Sequence, residues 1–149
     1  MSSSEALLIE DGRALGLDLG TERVGVAISN DERTVATPLE VVPGRDWAAL
    51  DRRLVEISNE WEVAVVVVGA PLSLDGSEGP AMKRTKKAIA RLRATLRPPI
   101  VTYDERLTTV TAHSMLDEQG VPGRSRKDMV DMVAAQIILQ SWMDREAND

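Results

Sequence analysis

Three carboxylates stand where apolar side chains are expected. In ALGLDLGTERVGVAIS, residues 14–29, Leu15, Leu17 and Leu19 alternate with Ala14, Gly16 and Asp18, the period of a strand whose two faces differ. Asp18 thus shares a face with small residues, where a lone carboxylate is costly unless something pairs with it. On a helical wheel, Asp131 of VDMVAAQIILQSW falls between Ile138 and Trp142, with Ala134 and Ala135 nearby, inside the apolar stripe. Glu105 ends the run PPIVTYDE. Ligands of open α/β sheets gather beyond the carboxyl ends of parallel strands, although an acidic strand end can simply open the following helix favourably. No lysine or arginine lies in either apolar stripe. A long basic side chain from elsewhere, or a hard divalent cation that prefers oxygen ligands, would supply the missing charge. Ala14, Gly16, Gly25, Ala27 and Ser29 would leave room for ions and substrate. Asp128 lies nearer the border of its stripe, where a capping role suffices.

The elements that must carry these groups follow from periodicity. Arg23–Ser29 alternates again and, across the turn Gly20-Thr21-Glu22, reads as the second arm of a hairpin. Residues 34–42 form a third strand in which Pro38 points to an edge or a bulge. Trp47, Leu50, Leu54, Ile57 and Trp61 step by helical spacing behind Asp46, the expected N-cap, so the tryptophans read as core. VAVVVVGAP, residues 63–71, is a continuous β-branched run, a strand covered on both faces. Gly79-Pro80 opens a helix with the stripe Met82, Thr85, Ile89, Leu92 and Leu96. A fifth strand precedes a helix over 107–120, which holds the lone His113 and ends at Gly120; the polar loop 121–127 leads to a final helix from 128 to about 145. The order β-β-β-α-β-α-β-α-α predicts an α/β domain with a mixed five-stranded sheet, three antiparallel strands then parallel ones, flanked by helices. Residues 1–11 read as a frayed tail and 12–146 as a single domain.

Composition narrows the function. The chain of 149 residues has 43% hydrophobic and 28% charged residues, an ordinary globular mix, and no run long enough to span a bilayer. The N-terminus lacks a secretory signal and there is no cysteine, so a cytoplasmic protein without disulfides or thiolate chemistry is expected. The net charge is −6, yet residues 83–97 carry seven basic side chains and no acidic one, and Arg124, Arg126 and Lys127 cluster later. That asymmetry suits a polyanion as well as it suits a solvated helix face. With 3% aromatics, a base-stacking platform has little support.

GLDLGT, GAPLSLDGSEGP, DERLTT and VDMVAAQIIL, in this order and spacing, resemble the YqgF family of pre-16S rRNA nucleases, or Holliday-junction-resolvase-like proteins, over roughly residues 13–143. The resemblance implies a ribonuclease H-like fold and a catalytic and metal-binding triad of Asp18, Glu105 and Asp131. It also implies hydrolysis of phosphodiesters with two Mg²⁺ or Mn²⁺ ions about 3.5–4 Å apart clamping the attacking and leaving oxygens. Such ions would reverse the sign of the acidic field, and Asp18, in mid-sheet, would bridge them. Ser73 stands where many members carry asparagine, and Asp128 makes a D-x-x-D with Asp131. Nucleic-acid contacts are expected from Ser73, Lys83, Arg84, Lys87, Arg106, Arg124, Arg126 and Lys127, which would hold phosphates without reading sequence. RNA is the favoured partner, with the small-subunit precursor as its source; branched DNA is the alternative, for which a symmetric dimer rather than a monomer is required. GLDLGT also resembles the phosphate-binding turn of actin- and hexokinase-like ATPases, which need two such domains. A non-catalytic nucleic-acid-binding module is the third reading.

Overall fold

The computed structural model describes residues 9–73, 75–105 and 123–148, with the backbone alone over 123–128 and at 148. Strands β1 (Arg13–Leu19), β2 (Arg23–Ser29) and β3 (Ala36–Pro43) precede helix α1 (Trp47–Glu60). Then come β4 (Val63–Ala70), helix α2 (Pro80–Thr95), β5 (Ile100–Asp104) and helix α3 (Gly123–Asn148). The sheet order is β3-β2-β1-β4-β5; β1 and β2, and β2 and β3, pair antiparallel, while β4 runs parallel to both β1 and β5. The mixed five-stranded α/β architecture expected from the sequence is the one observed. The expected helix over 107–120, His113 and most of the N-terminal tail lie outside the described residues.

Alternation along β1 sorts its side chains onto two faces. Leu15 and Leu17, with Val24, Val26, Val66 and Val68, pack against Leu50, Leu54 and Ile57 of α1 and Ile89 and Leu92 of α2. Full burial of such a side chain contributes about 1.5–3 kcal/mol, so this face supplies much of the stability. On the other face, Ala14, Ala27, Val65 and Val67 pack against Ala135, Ile138, Leu139 and Trp142 of α3. Asp46 caps α1 by accepting the Ala49 N–H at 3.2 Å, and Pro80 stands in the first turn of α2, both as expected. Pro38 marks the edge strand, beside a register shift between Val26 and Ala27.

Three expectations are corrected. The last helix begins at Gly123 rather than 128, because residues 124–127 are polar but adequate helix formers. Trp47 is not core: at the first residue of α1 it is 61% exposed, while Leu50, Leu54 and Ile57 take the buried positions. The small residues on the Asp18 face make room for a helix, not for ions. A side chain on Gly16 would meet Leu139 Cβ at 2.8 Å and the Ala135 carbonyl at 2.9 Å, and one on Gly25 would collide with the Asp131 carbonyl.

Candidate active site

Asp18 and Glu105 meet at the carboxyl ends of β1 and β4, on the face covered by α3. Asp18 is the penultimate residue of β1 and pairs in register with Gly25 of β2. Glu105 follows β5 directly, and its N–H donates to the Ala70 carbonyl at 3.2 Å, which pins it beside the end of β4. Residues 101, 103 and 105 alternate toward the α3 face, where Val101 and Tyr103 join the core. Gly69 completes the cradle: a Cβ there would collide with Glu105 Oε2 and approach Ile138 Cδ1 to 2.6 Å.

Helix α3 brings the third carboxylate. Glycines 16 and 25 let its backbone lie close on β1 and β2, and glutamines fasten it to the edge strand. Gln136 Nε2 donates to the Ala36 carbonyl at 3.1 Å, and the Ala36 N–H donates to Gln140 Oε1 at 2.9 Å. Asp131 therefore sits above Asp18, close enough for its charge to act on it.

The electrostatics divide the three acids. Asp18 and Glu105 face each other side chain to side chain, and this contact lowers Asp18 while it raises Glu105. Burial, then the Asp18 charge and the hydrogen bond to it, and finally Asp104, raise the Glu105 pKa to about 8. Burial also raises Asp18; the hydrogen bond with Glu105 opposes this and the Asp131 charge adds to it. Asp131 instead takes Arg23: the guanidinium Nε donates to Oδ2 at 2.8 Å. Sequence reasoning missed Arg23, although its position two residues before Gly25 puts it on the same alternating face. It is the long basic side chain from outside the stripes.

An all-carboxylate donor set fits a hard divalent cation, and the burial that raises both Asp18 and Glu105 marks a place where positive charge would be stabilising. Among the described residues, no three acidic or histidine side chains converge closely enough to hold an ion in this conformation. Asp131 is meanwhile engaged with Arg23.

The expected nucleic-acid contacts are dispersed. Lys83, Arg84 and Lys87 lie on α2, on the opposite face of the sheet from the carboxylates. Ser73 is exposed in the loop between β4 and α2, which folds into a small hairpin through a Leu72–Glu78 bridge and a Ser73 N–H to Ser77 carbonyl bond of 3.0 Å. Arg106 and the side chains of Arg124, Arg126, Lys127 and Asp128 lie outside the described residues.

Comparison with known proteins bears on what this arrangement does. The family model for RuvX, described as a Holliday junction resolvase, matches residues 12–145. A Streptomyces coelicolor protein that bears the name of a pre-16S rRNA nuclease is 43% identical over 136 residues, 91% of this chain and 81% of its own. A Methylocella silvestris protein of the same name is 38% identical over 133 residues, 89% and 83% of the two chains. Among solved structures, Thermus thermophilus RuvC in complex with a Holliday junction substrate superposes with a TM-score of 0.57 at 14% identity, covering 91% of this chain and 96% of that one. That likeness extends to the ribonuclease H-like fold.

Proposed function

The chain belongs to the RuvX family, and we propose that it is a nuclease that hydrolyses phosphodiester bonds at Asp18, Glu105 and Asp131, in 5′-end maturation of pre-16S rRNA. The observation that carries this reading is geometric: Asp18 near the end of β1, Glu105 pinned beside the end of β4 by its bond to the Ala70 carbonyl, and Asp131 laid by α3 against Gly25, the cross-strand partner of Asp18. Two carboxyls are brought together at a cost that a purely structural role does not require.

Asp18, Glu105 and Asp131 would hold two divalent cations, Mg²⁺ or Mn²⁺. When bound, such cations supply an acidified water and a positive clamp on the phosphoryl oxygens. The chain's own contribution is positional. Glu105 would give up its proton and Asp131 would exchange Arg23 for the site, while the glycines of β1, β2 and β4 let α3 and Glu105 lie close against the strand ends.

The test is cleavage of end-labelled pre-16S rRNA fragments and of a synthetic four-way DNA junction by purified protein with Mg²⁺ or Mn²⁺, with Asp18→Asn as control. Cuts in the RNA that vanish in the variant support maturation. Cuts confined to the junction would replace this substrate with branched DNA, the activity for which the family is described. Cuts that survive Asp18→Asn would remove the proposed site.

A further inference from the structure

A cavity of about 550 Å³ opens on the other side of the same strand ends, between α1 and α2. Its wall includes Leu19 and Thr21, just past Asp18, and Pro71, just past the Ala70 carbonyl that holds Glu105. Trp47, Arg84 and Lys87 also line it. The acidic site and this cavity are therefore the two flanks of one sheet edge, with the turn after β1 between them.

The indole in this cavity is held rather than loose. Asp51, one helical turn after Trp47, accepts from Arg91 Nε at 2.7 Å, and the Arg91 guanidinium lies 4.9 Å from the Trp47 ring centroid. Cation–π contact fixes one side of the ring, yet the residue stays 61% exposed. The exposed ring and the Arg91 guanidinium over it both line the cavity, so an aromatic surface set by a cation faces a space that could take a flat ring. Nearby, Arg84 and Lys87 are exposed and form no ion pair with any described residue. The one acid on the wall, Glu22, is neutralised by Arg45 at 2.6 Å.

We propose that this cavity is a stacking subsite for a base of single-stranded nucleic acid, with Trp47 as the platform and Arg84 and Lys87 on the flanking phosphates. Charge complementarity and continuity with the acidic edge select this occupant: a strand with its phosphate at Asp18 crosses the turn at Gly20–Glu22 and reaches Trp47. The inference rests on the nuclease reading for the strand's other end. It also assigns part of the basic helix a role that its position on the far face denied it at the acidic site. Stacking on one indole tolerates any base, so the subsite places the strand without choosing a sequence.

Binding is measured by fluorescence anisotropy in EDTA, where nothing is cut, with short labelled single-stranded RNA and DNA. Trp47→Ala is expected to weaken binding roughly 5- to 160-fold, and Trp47→Phe to recover most of it. Arg84→Glu with Lys87→Glu should lower the slope of log affinity against log salt by about 1.4, the loss of two phosphate contacts. An oligonucleotide with abasic positions along its length should bind wild type as weakly as the intact one binds Trp47→Ala. Equal affinity of wild type and Trp47→Ala, at unchanged melting temperature, would overturn the subsite, and so would undiminished binding of the abasic strand. Cutting is scored separately: Trp47-dependent binding without cleavage keeps the subsite and removes the nuclease, whereas cleavage with Trp47-independent binding does the reverse.

Discussion

The backbone carbonyl of Asp131 occupies the space in which a Gly25 side chain would stand. Gly25 is also the cross-strand partner of Asp18, so one missing Cβ lets a helix residue and a strand residue 113 positions apart in sequence meet as neighbours. Gly25→Ala would push the helix backbone, not a yielding side chain. The expected cost is about 3 kcal/mol or more, at the upper end of overpacking effects, read by urea denaturation. Cleavage should fall with it, since Asp131 moves.

Gly69→Ala should behave differently. Its added methyl meets the end of the Glu105 side chain, which can swing away, together with Ile138 Cδ1. Stability is expected to drop by roughly 1–2 kcal/mol. Activity should drop further than stability accounts for, and the comparison of melting curves with cleavage rates at a temperature where both proteins are folded makes the distinction.

Glu105 predicts a pH dependence with a definite sign. The unfolded chain releases this proton near 4.5, whereas the folded protein keeps it to about 8. Between those values the native state binds more protons, so its stability falls as pH rises through that window. The raised pKa of Asp18 acts in the same direction. Melting temperatures in EDTA should decline from pH 5 to pH 8, and saturating Mg²⁺ or Mn²⁺ should flatten or reverse the decline by favouring the ionised carboxylates. A melting temperature that rises with pH in EDTA would contradict the raised pKa of Glu105.

Asp18→Asn should separate stability from function. Removing one of two crowded acids relieves the burial of charge, so the EDTA-treated variant is expected to melt at or above the wild-type temperature. Its cleavage should be lower by more than about 100-fold, a loss beyond that of a supporting residue around a metal. Stabilisation by added divalent cation should largely disappear.

Arg23→Gln tests the proposed exchange of Arg23 for a cation at Asp131. The Arg23–Asp131 pair is partly exposed, so its loss should cost no more than about 1 kcal/mol in EDTA. With its competitor gone, Asp131 should favour cation binding, and the melting shift produced by Mg²⁺ should grow. An unchanged shift would mean that Arg23 does not restrain the site.

Local periodicity determined most of the elements. The twofold alternation around Leu15 and Leu17, the helical steps from Leu50 to Ile57, Asp46 as a cap and Pro38 at an edge all depend on neighbours within a few residues, and all were legible. So was the anomaly of Asp18 and Asp131 on apolar surfaces, because burial cost attaches to residue type and stripe position alone. Tertiary structure decided what fills the space around them. Gly16 and Gly25 admit a helix rather than ions, Arg23 takes Asp131, and Glu105 meets Asp18. Each depends on register and on the approach of elements distant in the chain, which no local pattern encodes. Trp47 carries the same lesson in reverse: its spacing matched the buried stripe, but the first residue of α1 projects past its neighbours' packing, and only the placement of α2 and Arg91 leaves its ring fixed and exposed.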